Sequence, residues 1–264
     1  MNIKIYGERN TGTGALVSIL ERNSSCPVLP GKASQLVEGH RERMDRTIKK
    51  MGKCSAIEKR IAKEAVVDRI FEERGRESFG WKHSAPPLDL LFEAEDVCIV
   101  FLVKNPYSWL LSLAQRPYHS FLSKPTTFSE FVVRPWVTVR RENAPALIEN
   151  PVELWNFKLH SYFNTAAKIG HPVFFIKSED LIQDQESAIS PILELTGRKN
   201  EEFEPLIDAT KTIDRDLGKD LDYFKDYYGE RKWRHDLDPE SIRRINEYLD
   251  PVLMENTGYE FISP

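Results

Sequence analysis

Apolar residues follow two rhythms along this chain. Short apolar runs stand at 2–6, at about 78–82 ("SFGWK"), at 97–103 ("VCIVFLV") and at 172–177 ("PVFFIK"). Their length predicts strands, and a run as uniformly apolar as 97–103 predicts a strand covered on both faces, as in parallel sheets. Between these runs apolar positions recur at helical spacing. Ile57, Ile61, Ala65 and Ile70/Phe71 make one stripe, and Trp155, Leu159, Tyr162/Phe163 and Ala166 a second. Ile242, Ile245, Leu249 and Val252 make a third.

Strands alternating with helices imply right-handed crossovers and an α/β fold in three layers, a mostly parallel central sheet flanked by helices. In such a sheet the ligand lies beyond the carboxyl ends of the strands, so the polar residues just after each strand should converge. They are Gly7 to Gly14, Lys82–His83, Lys104–Asn105 and Ser178–Glu179–Asp180. Charge-rich 31–76 predicts a helical insertion over the sheet, and proline-rich 117–150, with "VRRENAP", a loop-rich cap. With no internal repeat and no low-complexity linker, one domain over 1–264 is expected.

The first strand runs into "GERNTGTGAL" and emerges in a helix expected over Ala15 to Arg22. A strand–loop–helix turn of this kind suits a phosphate, because a helix N-terminus presents free N–H groups and the positive end of a dipole. Gly7 and Gly12 allow a tight turn, and Gly14 lets the helix begin close to a ligand. Thr11 and Thr13 add hydroxyls, and Arg9 adds a permanent charge able to fork onto phosphate or sulfate oxygens. The alternative is a plain turn capped by threonine. A nucleotide triphosphatase would carry lysine after Gly12, where this chain has Thr13.

In "FLVKNPYSWLLSLAQRPYH", 101–119, Asn105 predicts an N-cap and Pro106 a first helical residue. Lys104 ends the strand, and Ser112 is a lone hydroxyl about two turns along the helix, where taken alone it is an ordinary back-bonded serine. In "FGWKHSAPP", 79–87, His83 is a candidate general base because imidazole titrates near neutral pH. Lys82 is the adjacent cation, or the base itself if burial lowers its pKa. Glu179 and Asp180 could orient a cation near the loop, serve as a runner-up base or simply cap a helix. His40, His119, His160, His171 and His235 lack such a context, and no set of them forms a metal site.

Composition narrows the partners. Hydrophobic residues at 41% and charged residues at 30% are ordinary for a globular protein, and a net charge of −4 argues against a nucleic-acid binder. Cys26, Cys54 and Cys98 are odd in number and far apart, which reads as reduced thiols. The run 97–103 is too short to span a bilayer. "MNIKIYGERN" has no hydrophobic core ahead of a cleavage site. The expectation is a cytoplasmic protein with no membrane partner.

Taken in order, these stretches resemble the sulfotransferases that use 3′-phosphoadenosine 5′-phosphosulfate. The family's strand–loop–helix motif is similar to "NTGTGAL". Its strand-end arginine, often followed by Asn/Asp-Pro and by a serine eight residues on, is similar to "KNPYSWLLS". "SEDL" at 178–181 is similar to its "YEDL" segment, "KHSAP" to its Lys-x-His-x-Pro stretch and "GERKW" at 229–233 to its basic C-terminal segment. Soluble bacterial members with "GERxxGT", "GWKH" and "NPYxW" stretches are the nearest in form.

The resemblance implies a P-loop type of nucleotide site. Arg9, Asn10, Thr11, Gly12, Thr13, Gly14 and Ala15 would bind the donor, the backbone N–H groups of Thr11 to Gly14 holding its 5′-phosphosulfate and Lys104 with Ser112 its 3′-phosphate. Arg231 or Lys232 would close over that phosphate, and His83, Lys82 and Arg9 would carry the chemistry. It implies the adenylate donor as co-substrate, no metal, and a small-molecule or carbohydrate acceptor, with Trp109, Tyr118, Phe121 and Trp136 shaping its pocket.

The chain departs from the family at three places: Asn10 stands for the usual loop cation, Lys104 for arginine and Ser178 for tyrosine. Lys82 is the candidate to supply the missing charge. The competing readings are a small-molecule kinase or other P-loop enzyme, and a sulfotransferase-like binding protein with a spent site.

Overall fold

The apolar run 97–103 forms the middle strand of a parallel sheet in the computed structural model, which describes residues 1–118, 121–122, 125–208 and 218–264. In chain order the elements are β1 (Asn2–Gly7), α1 (Thr13–Asn23), α2 (Ala33–Leu36), α3 (His40–Met51), α4 (Ala56–Arg74) and α5 (Leu88–Phe92). There follow β2 (Val97–Val103), α6 (Pro106–Gln115), α7 (Phe128–Phe131), β3 (Trp136–Val137) and β4 (Leu147–Ile148). Then come α8 (Pro151–Lys168), β5 (Val173–Lys177), α9 (Ser178–Gln183) and α10 (Gln185–Thr196), before helices at Leu221–Gly229, Pro239–Tyr248 and Pro251–Thr257.

The sheet order is β1-β2-β5, all parallel, with Tyr6 opposite Phe101 and Phe101 opposite Phe175. Side chains alternate between the two faces. Tyr6, Val97, Ile99, Phe101 and Val103 join one buried cluster with α6, α8 and the C-terminal helices. Ile3, Ile5, Cys98, Val100 and Leu102 join another with α1, α9 and α10. A three-layer α/β arrangement is therefore what the alternation builds. β1 and β2 sit so close that a Cβ on Gly7 would stand 2.7 Å from the Leu102 carbonyl oxygen and 2.8 Å from Thr13 Cγ2. Gly7→Ala is expected to cost about 1–3 kcal/mol of stability by prising the strands apart. Urea unfolding would read this as a lower midpoint.

Three expectations are corrected. The strand at 78–82 does not form: Phe79 and Gly80 have φ of 53° and 77°, left-handed geometry that no ladder continues. The buried polar ends of β1 hold that turn instead, Lys4 Nζ donating to the Gly80 carbonyl at 2.6 Å and the Tyr6 hydroxyl to that of Phe79 at 2.6 Å. The edge of β1 is met by Val28, through Ile3 N–H to Pro27 at 2.9 Å and Leu29 N–H to Ile3 at 2.8 Å. The turn still runs beside the end of β1, because Gly7 N–H donates to the Lys82 carbonyl at 3.0 Å.

The insertion does not lie over the sheet. Its α3–α4 hairpin buries only Ile70 and Phe71 of α4, against Ala33, Trp81 and Val139, while Ile57 and Ile61 are each 52% exposed. The third stripe is broken into two helices, because Pro251 has no N–H to continue the first. Asp250 caps the second by accepting from Val252 N–H at 2.8 Å, and Val252 faces solvent.

Candidate active site

The loop after β1 reaches its shape through two left-handed residues, Asn10 at φ 66° and Gly12 at φ 93°. Asparagine is among the few side chains that tolerate this region. The Thr11 hydroxyl donates back to the Glu8 carbonyl at 2.6 Å, and the Ser178 hydroxyl donates to the Thr11 carbonyl. Helix α1 then starts at Thr13 with no side chain capping it. Among the described residues, the backbone N–H groups of Gly12, Thr13 and Gly14 donate to nothing, while that of Ala15 donates to Gly12 at 2.9 Å. An uncapped helix start with an exposed Gly12 is an anion seat in form.

Lys104 and Ser112 meet at this seat. Asn105 caps α6, its Oδ1 accepting from Tyr107 N–H at 3.1 Å, with Pro106 as the first helical residue. Two turns of helix then bring Ser112 back over the end of β2. The Lys104 ammonium donates to Ser112 Oγ at 2.9 Å, to the Tyr228 hydroxyl at 2.8 Å and to the Asn10 carbonyl at 3.4 Å. A cavity of about 150 Å³ opens here, lined by Asn10, Thr11, Gly12, Ala15, Lys104 and Ser112. Ser178, Phe224 and Tyr228 line it as well.

No family model and no curated protein matches this sequence. Solved structures do match its fold. The sulfotransferase domain from the curacin biosynthetic pathway aligns with a TM-score of 0.54 at 12% identity, over 98% of this chain and 98% of that one. The sulfotransferase domain from the Synechococcus PCC 7002 olefin synthase aligns with a TM-score of 0.51 at 12% identity, over 99% of this chain and 95% of that one. This chain has the sulfotransferase fold.

His83 stands at the other side of the loop. Its Nδ1 lies 2.6 Å from the Gly7 carbonyl oxygen. A carbonyl only accepts, so Nδ1 carries the proton and Nε2 keeps its lone pair. Burial, then the charges of Lys82 and Arg9, hold the imidazole pKa well below its usual 6.5. The ring is therefore neutral at pH 7. Trp81 packs edge-on against it at 4.9 Å.

Arg9 is not brought to the cavity lining. Its guanidinium lies over the rings of Tyr118, at 4.6 Å, and Trp81, at 5.4 Å, on the side of His83. Its carbonyl accepts from Trp109 Nε1 at 2.8 Å. Lys82 is buried beside His83, with its charge also acting on Lys4, whose burial brings that ammonium down to about 7.

Other candidates are placed elsewhere. Arg231 pairs with Glu260 at 3.7 Å and Lys232 with Asp226, all four side chains largely exposed and outside the cavity lining, so neither cation closes over Lys104 in this arrangement. Among the described residues Glu179 pairs with no cation: its carboxylate accepts from Asn105 N–H at 3.0 Å and from the Tyr259 hydroxyl at 2.9 Å, bracing the end of β2. Asp180 is exposed.

Phe121 and Trp136 line a separate cavity of about 460 Å³ under the cap, whereas Trp109 and Tyr118 are buried out of it. His160 pairs with Asp250 at 2.8 Å on the surface and His171 meets the Leu91 carbonyl at 3.0 Å, while His119 lies outside the described residues. Among the described residues no cluster of three His, Cys, Asp or Glu side chains could hold a metal ion. None of their helices is long and apolar enough to cross a membrane.

Two features escaped the sequence reading. Tyr228 shares Lys104 from a helix with no motif to mark it. Glu8, Lys158 and Glu142 form a buried ionisable group behind His83, Lys158 Nζ lying 3.4 Å from Glu8 Oε2 and 3.6 Å from Glu142 Oε2, with burial pushing the Glu142 carboxyl up to about 7. Lys158 left a signal. It falls three residues after Trp155 and four before Tyr162, a charge in the middle of an apolar stripe.

Proposed function

We propose that this protein is a sulfotransferase that uses 3′-phosphoadenosine 5′-phosphosulfate and a hydroxyl acceptor on a sugar or other small molecule. The observation that carries the reading is the meeting of the Lys104–Ser112 pair with the uncapped start of α1 at one cavity. Two anion sites of different kinds fit a donor that bears both a 3′-phosphate and a 5′-phosphosulfate. Lys104 and Ser112 hold the first, and the N–H groups of Gly12, Thr13 and Gly14 the second. The donor supplies a sulfuryl group on a phosphate leaving group, so transfer makes one S–O bond to the acceptor and breaks one.

His83 takes the proton of the acceptor hydroxyl on Nε2, with Gly7 fixing the tautomer. Arg9 and Lys82 supply positive charge on the same side of the loop, and no metal ion is part of the reading. A phosphoryl-transferring P-loop enzyme needs lysine after Gly12, and Thr13 is in its place.

The test is release of 3′-phosphoadenosine 5′-phosphate from the donor in the presence of mixed monosaccharide and phenolic alcohols, the His83→Ala variant serving as background. Release above that background supports the reading, and none with any acceptor contradicts it. The rate should also persist below pH 6.5, because the imidazole is held neutral there. Arg9→Gln, which removes one of the charges lowering that pKa, should move the acidic limb of the kcat profile upward.

A further inference from the structure

Helix α8 carries a buried lysine where its apolar stripe calls for a hydrophobe. Lys158 is 1% exposed. Its ammonium donates to the His83 carbonyl at 2.6 Å and lies between the carboxylates of Glu8 and Glu142. Those three contacts belong to three different parts of the molecule: the base-bearing turn, the phosphate loop and the cap. Glu8 in turn accepts from Arg9 N–H at 2.6 Å and from the Tyr118 hydroxyl. The cap closes the circuit, since Ala85 N–H donates to the Glu142 carbonyl at 2.8 Å and the Asn143 amide to the Ala85 carbonyl at 3.2 Å.

A buried ion group of this kind is a poor device for stability alone, because well-packed apolar residues of equal volume serve as well or better. What it does supply is a fixed geometry. The main chain on both sides of His83 is pinned by polar bonds, Lys82 by Gly7 N–H at 3.0 Å and Ala85 by Glu142 at 2.8 Å. Lys158 holds the carbonyl of His83 itself.

We infer that Lys158, held between Glu8 and Glu142, is a positioning residue that locks His83 to the phosphate loop. It rests on the reading of His83 as the base. Without Lys158 the His83 carbonyl loses its hydrogen-bond donor, and only the flanking bonds at Lys82 and Ala85 remain to hold the turn. The 2.6 Å contact of Nδ1 with Gly7 then loosens, and the proton is no longer confined to Nδ1.

The test uses the full chain with Lys158→Met, and with Lys158→Met/Glu142→Gln, which leaves fewer buried charges uncompensated and protects folding. Three quantities are read: the affinity for 3′-phosphoadenosine 5′-phosphate, kcat, and the His83 tautomer from nitrogen chemical shifts. In the double variant, affinity should stay within about twofold while kcat falls by about tenfold or more. The shifts should pass from the pure Nδ1–H tautomer to a mixture.

A folded double variant that keeps the wild-type tautomer overturns the inference, whatever its rate. So does an equal loss of affinity and kcat, which would mark general damage to the loop. Failure of the wild-type protein to bind the nucleotide would overturn the functional reading instead, and the tautomer would still decide the role of Lys158.

Discussion

His83→Asn is expected to remove about 10²–10⁴-fold of kcat while leaving the affinity for 3′-phosphoadenosine 5′-phosphate within about twofold. The two effects separate because the ring faces two ways. Nδ1–H belongs to the loop, where it donates to Gly7 at 2.6 Å. The asparagine amide can replace that donor, so the loop should keep its shape. Nothing in asparagine replaces Nε2, the nitrogen left with a lone pair. A kinetic comparison with the parent, beside a binding isotherm on each, separates the roles. Full retention of kcat would take the base away from His83 and leave Lys82 as the next candidate.

Lys104→Met is expected to weaken binding of 3′-phosphoadenosine 5′-phosphate by roughly 10–100-fold, since a hydrogen bond to a charged group is worth about 1.5–3 kcal/mol. Binding of ADP, which has no 3′-phosphate, should change far less. Selectivity between the two nucleotides would then collapse. Methionine keeps the length and burial of the lysine stem, so the change reports the charge and not a cavity. Ser112→Ala should weaken the same nucleotide by a smaller factor, about 3–10-fold, because a neutral hydroxyl contributes about 0.5–1.5 kcal/mol. Equal losses for both nucleotides would place Lys104 outside the 3′-phosphate site.

What could be read from the sequence is what depends on local pattern. The uniform apolar run 97–103 marked the central strand, and Asn105-Pro106 marked the start of α6. The pairing of Lys104 with Ser112 rests on the family resemblance, since Ser112 alone reads as an ordinary back-bonded serine, and the fold brings the two to 2.9 Å. His83 was placed beside the loop by a strand that does not exist, because "SFGWK" has the composition of a strand. Its true shape depends on Lys4 and Tyr6 of β1 reaching the carbonyls of Gly80 and Phe79, a tertiary contact that no local pattern contains.

The α3–α4 hairpin forms as helices, but its placement over the sheet is not met, for a related reason. Its stripe through Ile57 and Ile61 has the right period, but period does not say which partner a stripe meets. Arg9 was expected at the donor because it stands in the loop, yet the rings of Trp81 and Tyr118, distant in sequence, draw it to the side of His83.

The most direct test is a calorimetric titration of the protein with 3′-phosphoadenosine 5′-phosphate and with ADP, each without and then with Mg²⁺. The account expects tight binding that requires the 3′-phosphate and is unchanged by the metal, since Lys104, Ser112 and the N–H groups of Gly12 to Gly14 supply the contacts. Preference for ADP in the presence of Mg²⁺, or no binding of either nucleotide, would contradict it.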